Sequence, residues 1–273
     1  MPVLNRWPFL TPFAPEATAL VTGAASGLGR ALVEQLAADG WRIAAVDLEA
    51  PLAARPFPDG VTTIAGDVRD PAVWHSLHER LRVEWDSLTL LVNAAGVGAT
   101  GEVGTLPSEQ WRRVLDTNLL GTALGCETFL PWMRATNRRS HLVNVASIAA
   151  VLAPPSLAAY AASKAGVVAL SEAIAAECER GRPGVTVVCS GFFRSGLLGS
   201  WHFTTDVERR EAARRMEATV WTSDRVAHRV LAAVRRNRRY VVVGFQARWL
   251  WRLKRLAPRA TTSLVNRIYR RLK

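Results

Sequence analysis

Seven short runs of consecutive apolar residues, rich in β-branched side chains, punctuate the chain at 17–23, 41–47, 61–67, 88–93, 141–147, 185–191 and 240–244. Their apolar positions are continuous instead of alternating, as in strands buried on both faces. Between them lie longer stretches with helical spacing, at 27–38, 71–85, 107–134, 156–178 and 224–236. This strand–helix alternation predicts an α/β fold with a parallel sheet covered by helices on both faces. The segment 192–222 breaks the rhythm. It is rich in Phe and Trp, with one short helix expected near 205–218. Insertions of that length in a compact domain usually carry function. No internal repeat or low-complexity linker is evident.

Composition changes the picture through charge. The 273 residues carry 35 Lys+Arg against 23 Asp+Glu, a net +12. Fifteen of the basic residues, and none of the acidic ones, lie in 225–273. The rest of the chain holds 20 basic and 23 acidic residues, a net −3. A near-neutral body therefore ends in a cationic tail, and a basic surface over the whole molecule is excluded. Hydrophobic residues make up 49% and charged residues 21%, which suits a globular chain and not a disordered one. Cys126, Cys178 and Cys189 are odd in number and widely spaced in apolar stretches. They read as reduced buried thiols in a reducing, cytoplasmic compartment, and no metal is expected. The first fifteen residues contain four prolines, three of them within the apolar part, and do not read as a secretory signal. No apolar run is long enough for a transmembrane helix.

The first run leads into Thr22-Gly23-Ala24-Ala25-Ser26-Gly27-Leu28-Gly29 and then directly into a helical pattern. Glycines there let the backbone turn tightly and approach a pyrophosphate, whose charge sits on the helix N-terminus. A glycine-rich turn alone is weak evidence, but here the flanking strand and helix are in place. Asp47 ends the next run. A carboxylate there accepts hydrogen bonds from adenosine ribose hydroxyls and repels a 2′-phosphate, favouring NAD over NADP. Taken singly, Asp47 reads equally as an exposed strand-end residue. Tyr160 and Lys164 are four residues apart and share a helical face. A lysine near a phenol favours the phenolate, so Tyr160 is expected to exchange a proton near neutral pH. Ser147 ends a strand at the carboxyl edge, where ligands of open α/β sheets bind, and its hydroxyl can bond a substrate oxygen.

Thr22–Gly29 as TGAASGLG, Asp67-Val68, Asn93-Ala94-Ala95-Gly96, Asn118, Ser147, and Tyr160 with Lys164 together resemble the short-chain dehydrogenase/reductase family. The resemblance covers about 17–244, with the motifs in the family's order. It implies a single Rossmann-like domain with seven parallel strands. It also implies roles. Tyr160 would be the general acid/base, Lys164 would bind the nicotinamide ribose and lower the tyrosine pKa, and Ser147 would polarise the carbonyl or alcohol. Asn118 would hold a water linking Lys164 to solvent. Thr22, Gly23, Ser26, Gly27, Leu28, Gly29, Asp47, Ala94, Gly96 and Gly191 would line the cofactor. Asp67 and Val68 would contact adenine, and Asn93 would steady the central strands beside it. The motif at 92–96 departs mildly from the family's Asn-Asn-Ala-Gly. At 190–195 the departure is larger: Ser190 replaces the usual Pro, and Ser195 stands where a Thr meets the nicotinamide amide. Losing Pro frees φ and adds an N–H, so a more mobile loop is expected. Homodimers or homotetramers through the long helices near 107–134 and 156–178 are also implied.

In such a fold, 192–222 would close over the substrate. Phe192, Phe193, Leu197, Leu198, Trp201, Phe203 and Trp221, with Val97, Gly98, Ala149, Val151, Leu152 and Pro154, argue for a bulky lipophilic substrate, although each reads equally as lid packing. His202 has no evident partner, and His75 with His78 read as a solvated helix face. In the tail, Trp249, Leu250, Leu253, Leu256 and Ala257 form one arc. Arg248, Arg252, Lys254 and Arg255 lie opposite, with Trp251 among them. After Pro258, a second apolar arc of Leu264, Val265, Ile268, Tyr269 and Leu272 opposes Arg267, Arg270, Arg271 and Lys273. Two cationic amphipathic helices suit an anionic membrane surface. Packing on the chain's own body or a second subunit competes with this reading, and nucleic acid comes last. The sequence therefore divides into a lead-in (1–16), a catalytic domain (17–244) with its lid (192–222), and a basic extension (245–273). The leading expectation is an NAD-dependent dehydrogenase of a steroid-, retinoid- or fatty-chain-like secondary alcohol, held at the inner membrane surface. A non-catalytic NAD-binding scaffold or membrane adaptor is the alternative.

Overall fold

In the computed structural model, which describes residues 17–136, 139–178 and 182–270, each of the seven apolar runs contains a strand. These are β1 (Thr18–Thr22), β2 (Arg42–Asp47), β3 (Val61–Ala65), β4 (Leu90–Asn93), β6 (His141–Val145), β7 (Gly184–Ser190) and β9 (Tyr240–Val243). They form one parallel sheet in the order β3-β2-β1-β4-β6-β7-β9. The lead-in 1–16, and Arg271, Leu272 and Lys273 of the tail, lie outside the described residues.

The continuous apolar runs have a direct cause. In β1, Ala19 and Val21 face one core while Leu20 faces the other, and β4 and β6 repeat this division. The first core is closed by α1 (Gly27–Ala38) and α9 (Ser223–Arg235), the second by α3 (Pro71–Glu84), α5 (Gly121–Ala135) and α7 (Ala158–Glu177). The outer strand β3 departs from the expectation of two-sided burial, because Thr62, Thr63 and Ala65 are exposed at the sheet edge. The seven-stranded, doubly wound Rossmann-like architecture is present as expected.

The helix expected over 107–134 is not one α-helix. α4 (Ser108–Leu115) passes through a π-helical turn (Asp116–Leu120) into α5. Asn118 sits fully buried in that turn, and π-turns inside helices often occur at functional sites. Three short elements had no readable signal: α2 (Glu49–Ala53), α6 (Ala149–Leu152) and a two-stranded sheet of β5 (Gly98–Thr100) with β8 (Trp201–Phe203). The inserted helix is α8 (Asp206–Glu217), started by a capping box between Thr205 and Glu208.

The tail forms α10 (Phe245–Leu256) and α11 (Pro258–Arg270). Its packing differs from the helical-wheel expectation. Trp251, grouped with the basic residues, is the indole that turns inward, 5.7 Å from the Tyr240 ring and with the Arg255 guanidinium 4.0 Å from its own centroid. Of the apolar arc, Trp249 and Leu256 are exposed, while Leu250, Leu253 and Ala257 are half-buried. Ser190 is the last residue of β7 and pairs with Val243, so the strand continues through the position where Pro was expected.

Candidate active site

The strand order reverses direction between β1 and β4, and the carboxyl ends there open a crevice. The turn after β1 is built by glycine. Gly23 has φ +64°, and a Cβ there would lie 2.6 Å from the Ala95 nitrogen. A Cβ on Gly29 would lie 2.1 Å from the Gly23 carbonyl oxygen. Ser26 N-caps α1 without a side-chain bond, so the hydroxyl leaves the first-turn N–H groups uncapped. Leu28 is buried beneath the turn. Thr22 fastens the turn to the next strand: its Oγ1 accepts from the N–H groups of Ala94 (3.2 Å) and Ala95 (3.3 Å). Asp47 braces the turn from the side. Its carboxylate accepts from the N–H of Ala25 (2.9 Å) and of Leu48 (2.8 Å).

Ser147 follows β6, and Tyr160 opens α7 across from it. Both are buried, and the Ser147 hydroxyl is hydrogen-bonded to the phenol. Lys164 lies one turn further along α7. Its Nζ donates to the Val145 carbonyl at 2.8 Å and stands 5.9 Å from the Tyr160 ring centroid. Burial pushes the lysine down to about 8, which still leaves it mostly an ammonium at neutral pH. Burial pushes Tyr160 the other way, above the ordinary tyrosine value, and the Ser147 bond offsets part of this. Desolvation is the larger cause, and Tyr160 is a phenol at neutral pH.

Asn118 and Lys164 approach each other across Gly96. A Cβ on Gly96 would lie 3.2 Å from Asn118 Oδ1 and 3.3 Å from Lys164 Nζ. The Asn118 side chain is committed to protein groups. Its Oδ1 accepts from the Val97 N–H, and its Nδ2 donates to the Val97 carbonyl and to Ser163 Oγ, all at 2.9 Å. The lid closes on the same place. Trp201 of β8 packs on Tyr160 with centroids 4.9 Å apart and the ring planes tilted by 48°, and its Nε1 donates to Thr100 Oγ1 at 2.7 Å. Ser195 and Gly196 abut the first turn, where a Cβ on Gly27 would lie 3.2 Å from Ser195 Cβ.

The sequence of this same region, residues 17–206, matches the family model for short chain dehydrogenase. The chain belongs to the short-chain dehydrogenase family. It is 30% identical over 260 residues to the probable oxidoreductase EphD of Mycobacterium tuberculosis, covering 89% of this chain but only 43% of that protein. It is also 30% identical over 234 residues to the 2-(R)-hydroxypropyl-CoM dehydrogenase of Xanthobacter autotrophicus, covering 82% of this chain and 93% of that one. Among solved structures, a short-chain dehydrogenase/reductase from Burkholderia phymatum in complex with NAD superposes with a TM-score of 0.80 at 28% identity. That match covers 88% of this chain and 93% of the other.

Within this short-chain dehydrogenase, several residues stand elsewhere than expected. The Asp67 carboxylate is held by Arg69, with Nε at 3.0 Å and Nη2 at 2.6 Å, and the bond to this guanidinium lowers its pKa. Val68 is buried against Gly121 and accepts from Trp74 Nε1 at 2.8 Å. The Asn93 amide points within the sheet: its Nδ2 donates to Asn144 Oδ1 at 2.9 Å, which suits the strand-steadying expectation. Gly191 lies where β7 meets α10, its N–H donating to Val243 at 3.4 Å. Ala149, Val97 and Trp201 join the cluster around Tyr160, whereas Phe193 and Trp221 pack on the main core and Phe192 is exposed. His78 is half-buried and edge-on to Phe129 and Trp132, unlike the solvated face expected; His75 is exposed.

Two positions escaped the sequence reading. Arg113 clamps the lid, donating to the carbonyls of Gly98 (3.0 Å) and Ser200 (3.2 Å). Asn144 is fully buried and joins Asn93 to Ser171 Oγ (2.9 Å). An arginine on a helix gives no signal of this kind. A second Asn at the equivalent place in the neighbouring strand does.

Proposed function

We propose that the protein is an NAD-dependent oxidoreductase interconverting a lipophilic secondary alcohol and its ketone. The observation that carries this is the buried Tyr160 phenol, bonded to Ser147 and set above Lys164 at the reversal point of the sheet. The cofactor fits the residues present. The uncapped start of α1 offers N–H groups to a pyrophosphate, and a side chain at Gly96 would fill the space beside Lys164. Thr22, Gly23, Ser26, Gly27, Gly29, Asp47, Ala94, Gly96, Lys164 and Ser195 would hold it. Asp47 favours NAD. Its carboxylate spends two of about four acceptor sites on Ala25 and Leu48, leaving others for ribose hydroxyls. The nearby Arg30 is committed to Glu34 and to the carbonyls of Arg55 and Pro56, so it does not offer itself to a 2′-phosphate.

When bound, the nicotinamide supplies the site that gives or takes a hydride. The chain's own residues do the rest. Ser147 orients the substrate oxygen, and Tyr160 gives that oxygen a proton in reduction or takes one in oxidation. The Lys164 ammonium stabilises the phenolate left behind. The Trp201 indole, Val97 and Ala149 exclude water and receive an apolar group, which supports a steroid-, retinoid- or fatty-chain-like substrate. The lid at 192–222, the basic extension at 245–273, peripheral contact with the inner membrane surface, a cytoplasmic location and a homo-oligomer through α5 and α7 belong to the same proposal. Among the described residues no helix is long and apolar enough to cross a membrane.

The test is a panel of steroid, retinoid and fatty-chain secondary alcohols, assayed by NADH production for wild type and Tyr160→Phe. The variant should lose turnover while keeping NAD affinity. Turnover retained in Tyr160→Phe sinks the mechanism, and faster turnover with NADP than with NAD overturns the role of Asp47.

A further inference from the structure

α10 carries large apolar side chains on two opposite faces. One face is used inside the molecule: Ala247 is buried, Trp251 packs on Tyr240, and Lys254 donates to Thr262 of α11 at 2.7 Å. At about 100° per residue, Phe245, Trp249 and Leu256 fall within about 40° of one another on the opposite side. They are 80%, 51% and 85% exposed. A single exposed apolar residue is ordinary. Three large ones aligned on a helix whose other face is anchored form an outward stripe. Arg252 falls on it between Trp249 and Leu256, and Arg248 lies beside it, both exposed. α11 extends the positive surface with exposed Arg259, Arg267 and Arg270.

The apolar arc of α11 is used differently. Leu264, Val265 and Tyr269 are half-buried. The Ser156 hydroxyl donates to the Tyr269 oxygen at 2.6 Å, and Tyr269 in turn donates to Glu102 Oε1 at 3.1 Å. α11 is thus a brace that fixes the tail to the body, while α10 presents a free face.

We propose that the outward face of α10 docks on an anionic lipid bilayer. Phe245, Trp249 and Leu256 enter the boundary between headgroups and acyl chains, and Arg248 and Arg252 take lipid phosphates. The proposal rests on the membrane contact proposed above and specifies which face makes it. Charge decides the occupant. No Asp or Glu occurs in 225–273, so a second copy of this face would set arginines against arginines. α10 also packs against α6, the turn that follows Ser147, so the docked helix joins the bilayer to the body beside the site.

The test uses the full chain in flotation with vesicles of phosphatidylcholine alone and of phosphatidylcholine with phosphatidylglycerol, and with duplex DNA as a competitor. Phe245→Ser/Trp249→Ser/Leu256→Ser and Arg248→Gln/Arg252→Gln are compared with wild type, with oligomeric state followed by sedimentation. Wild type should float with the anionic vesicles and release at high salt. The apolar triple variant should partition at least about tenfold more weakly, because binding scales with buried apolar area. The arginine variant should lose the preference for anionic vesicles. Turnover of a water-soluble alcohol without vesicles should be unchanged in both. Wild type that does not float, a triple variant that floats like wild type, or binding to DNA in preference to vesicles overturns the proposal. A triple variant that changes oligomeric state while flotation persists overturns it as well. A protein that floats as expected yet turns over no alcohol supports this surface and refutes the catalytic reading, so the two fail separately.

Discussion

Replacing Asn144 with Leu should destabilise the protein more than replacing Asn93, and replacing both should cost less than either sum suggests. The two side chains face each other across β4 and β6, where Asn93 pairs with Asn144 in register. Asn144 accepts from Asn93 Nδ2 and donates to Ser171 Oγ, both at 2.9 Å, and no water reaches the pair. Asn93 Oδ1 has no hydrogen-bond partner among the described residues. In Asn144→Leu, two bonds of roughly 1 kcal/mol each are lost and the buried Asn93 amide keeps only the weak Cys126 Sγ acceptor at 3.5 Å, for another 1–3 kcal/mol, about 3–5 kcal/mol in all. In Asn93→Leu one bond is lost and Asn144 Oδ1 keeps only the weak Cys126 thiol at 3.9 Å, but the unpaired Asn93 Oδ1 is removed as well, leaving about 1–3 kcal/mol. In the double variant nothing costly is stranded, because Ser171 Oγ already donates to the Val167 carbonyl at 2.6 Å. Its cost should therefore be about 1–2 kcal/mol, well below the sum of the singles. At 2–4 °C per kcal/mol, Asn144→Leu should lower Tm by about 10 °C and the double variant by about 4 °C. Calorimetry on the four proteins measures the cycle. Additive losses, or an Asn144→Leu protein within about 0.5 kcal/mol of wild type, would refute the reasoning. If Asn93→Leu instead kept its Tm and lost NAD affinity more than about tenfold, Asn93 would be a cofactor contact and not part of the scaffold.

Two further outcomes follow from buried groups. Trp201→Ala removes the indole packed against Tyr160. It should lower kcat/KM for short secondary alcohols by about tenfold while sparing bulky ones, since an apolar contact is worth about 1–3 kcal/mol; equal losses across the panel would remove Trp201 from the substrate wall. Buried His141, bonded through Nε2 to Thr186 Oγ1 at 2.8 Å, is pushed by burial from 6.5 down to about 4. The unfolded chain then binds the proton more readily, so the His141 contribution is complete above about pH 6.5 and is lost as pH falls toward 4, by about 3 kcal/mol. Urea unfolding across that range should show the slope, and His141→Gln should flatten it; an unchanged slope in the variant would show that other groups set it.

The sheet was legible because burial on both faces leaves a continuous apolar run, and only the edge strand β3 broke the rule, at Thr62 and Thr63. The glycine turn, Ser147, Tyr160 and Lys164 were legible because each occupies a strand end or a fixed helical spacing. β5 and β8 were not, since three residues each carry no periodicity, and their pairing depends on Trp201 lying where any side chain at Gly98 would collide with it at 2.2 Å. The tail shows the same limit at larger scale. The helical period at 248–257 was plain, but period ranks faces by composition and not by what covers them. Tyr240 and Glu172 supply a place for Trp251 and Arg255, so the body draws in a face that looked cationic. Phe245, Trp249 and Leu256 are then left outside. An apolar stripe becomes informative only when the structure shows that its own chain has declined to bury it, and on α10 that condition is met beside exposed Arg248 and Arg252, in a segment whose own sequence carries no Asp or Glu.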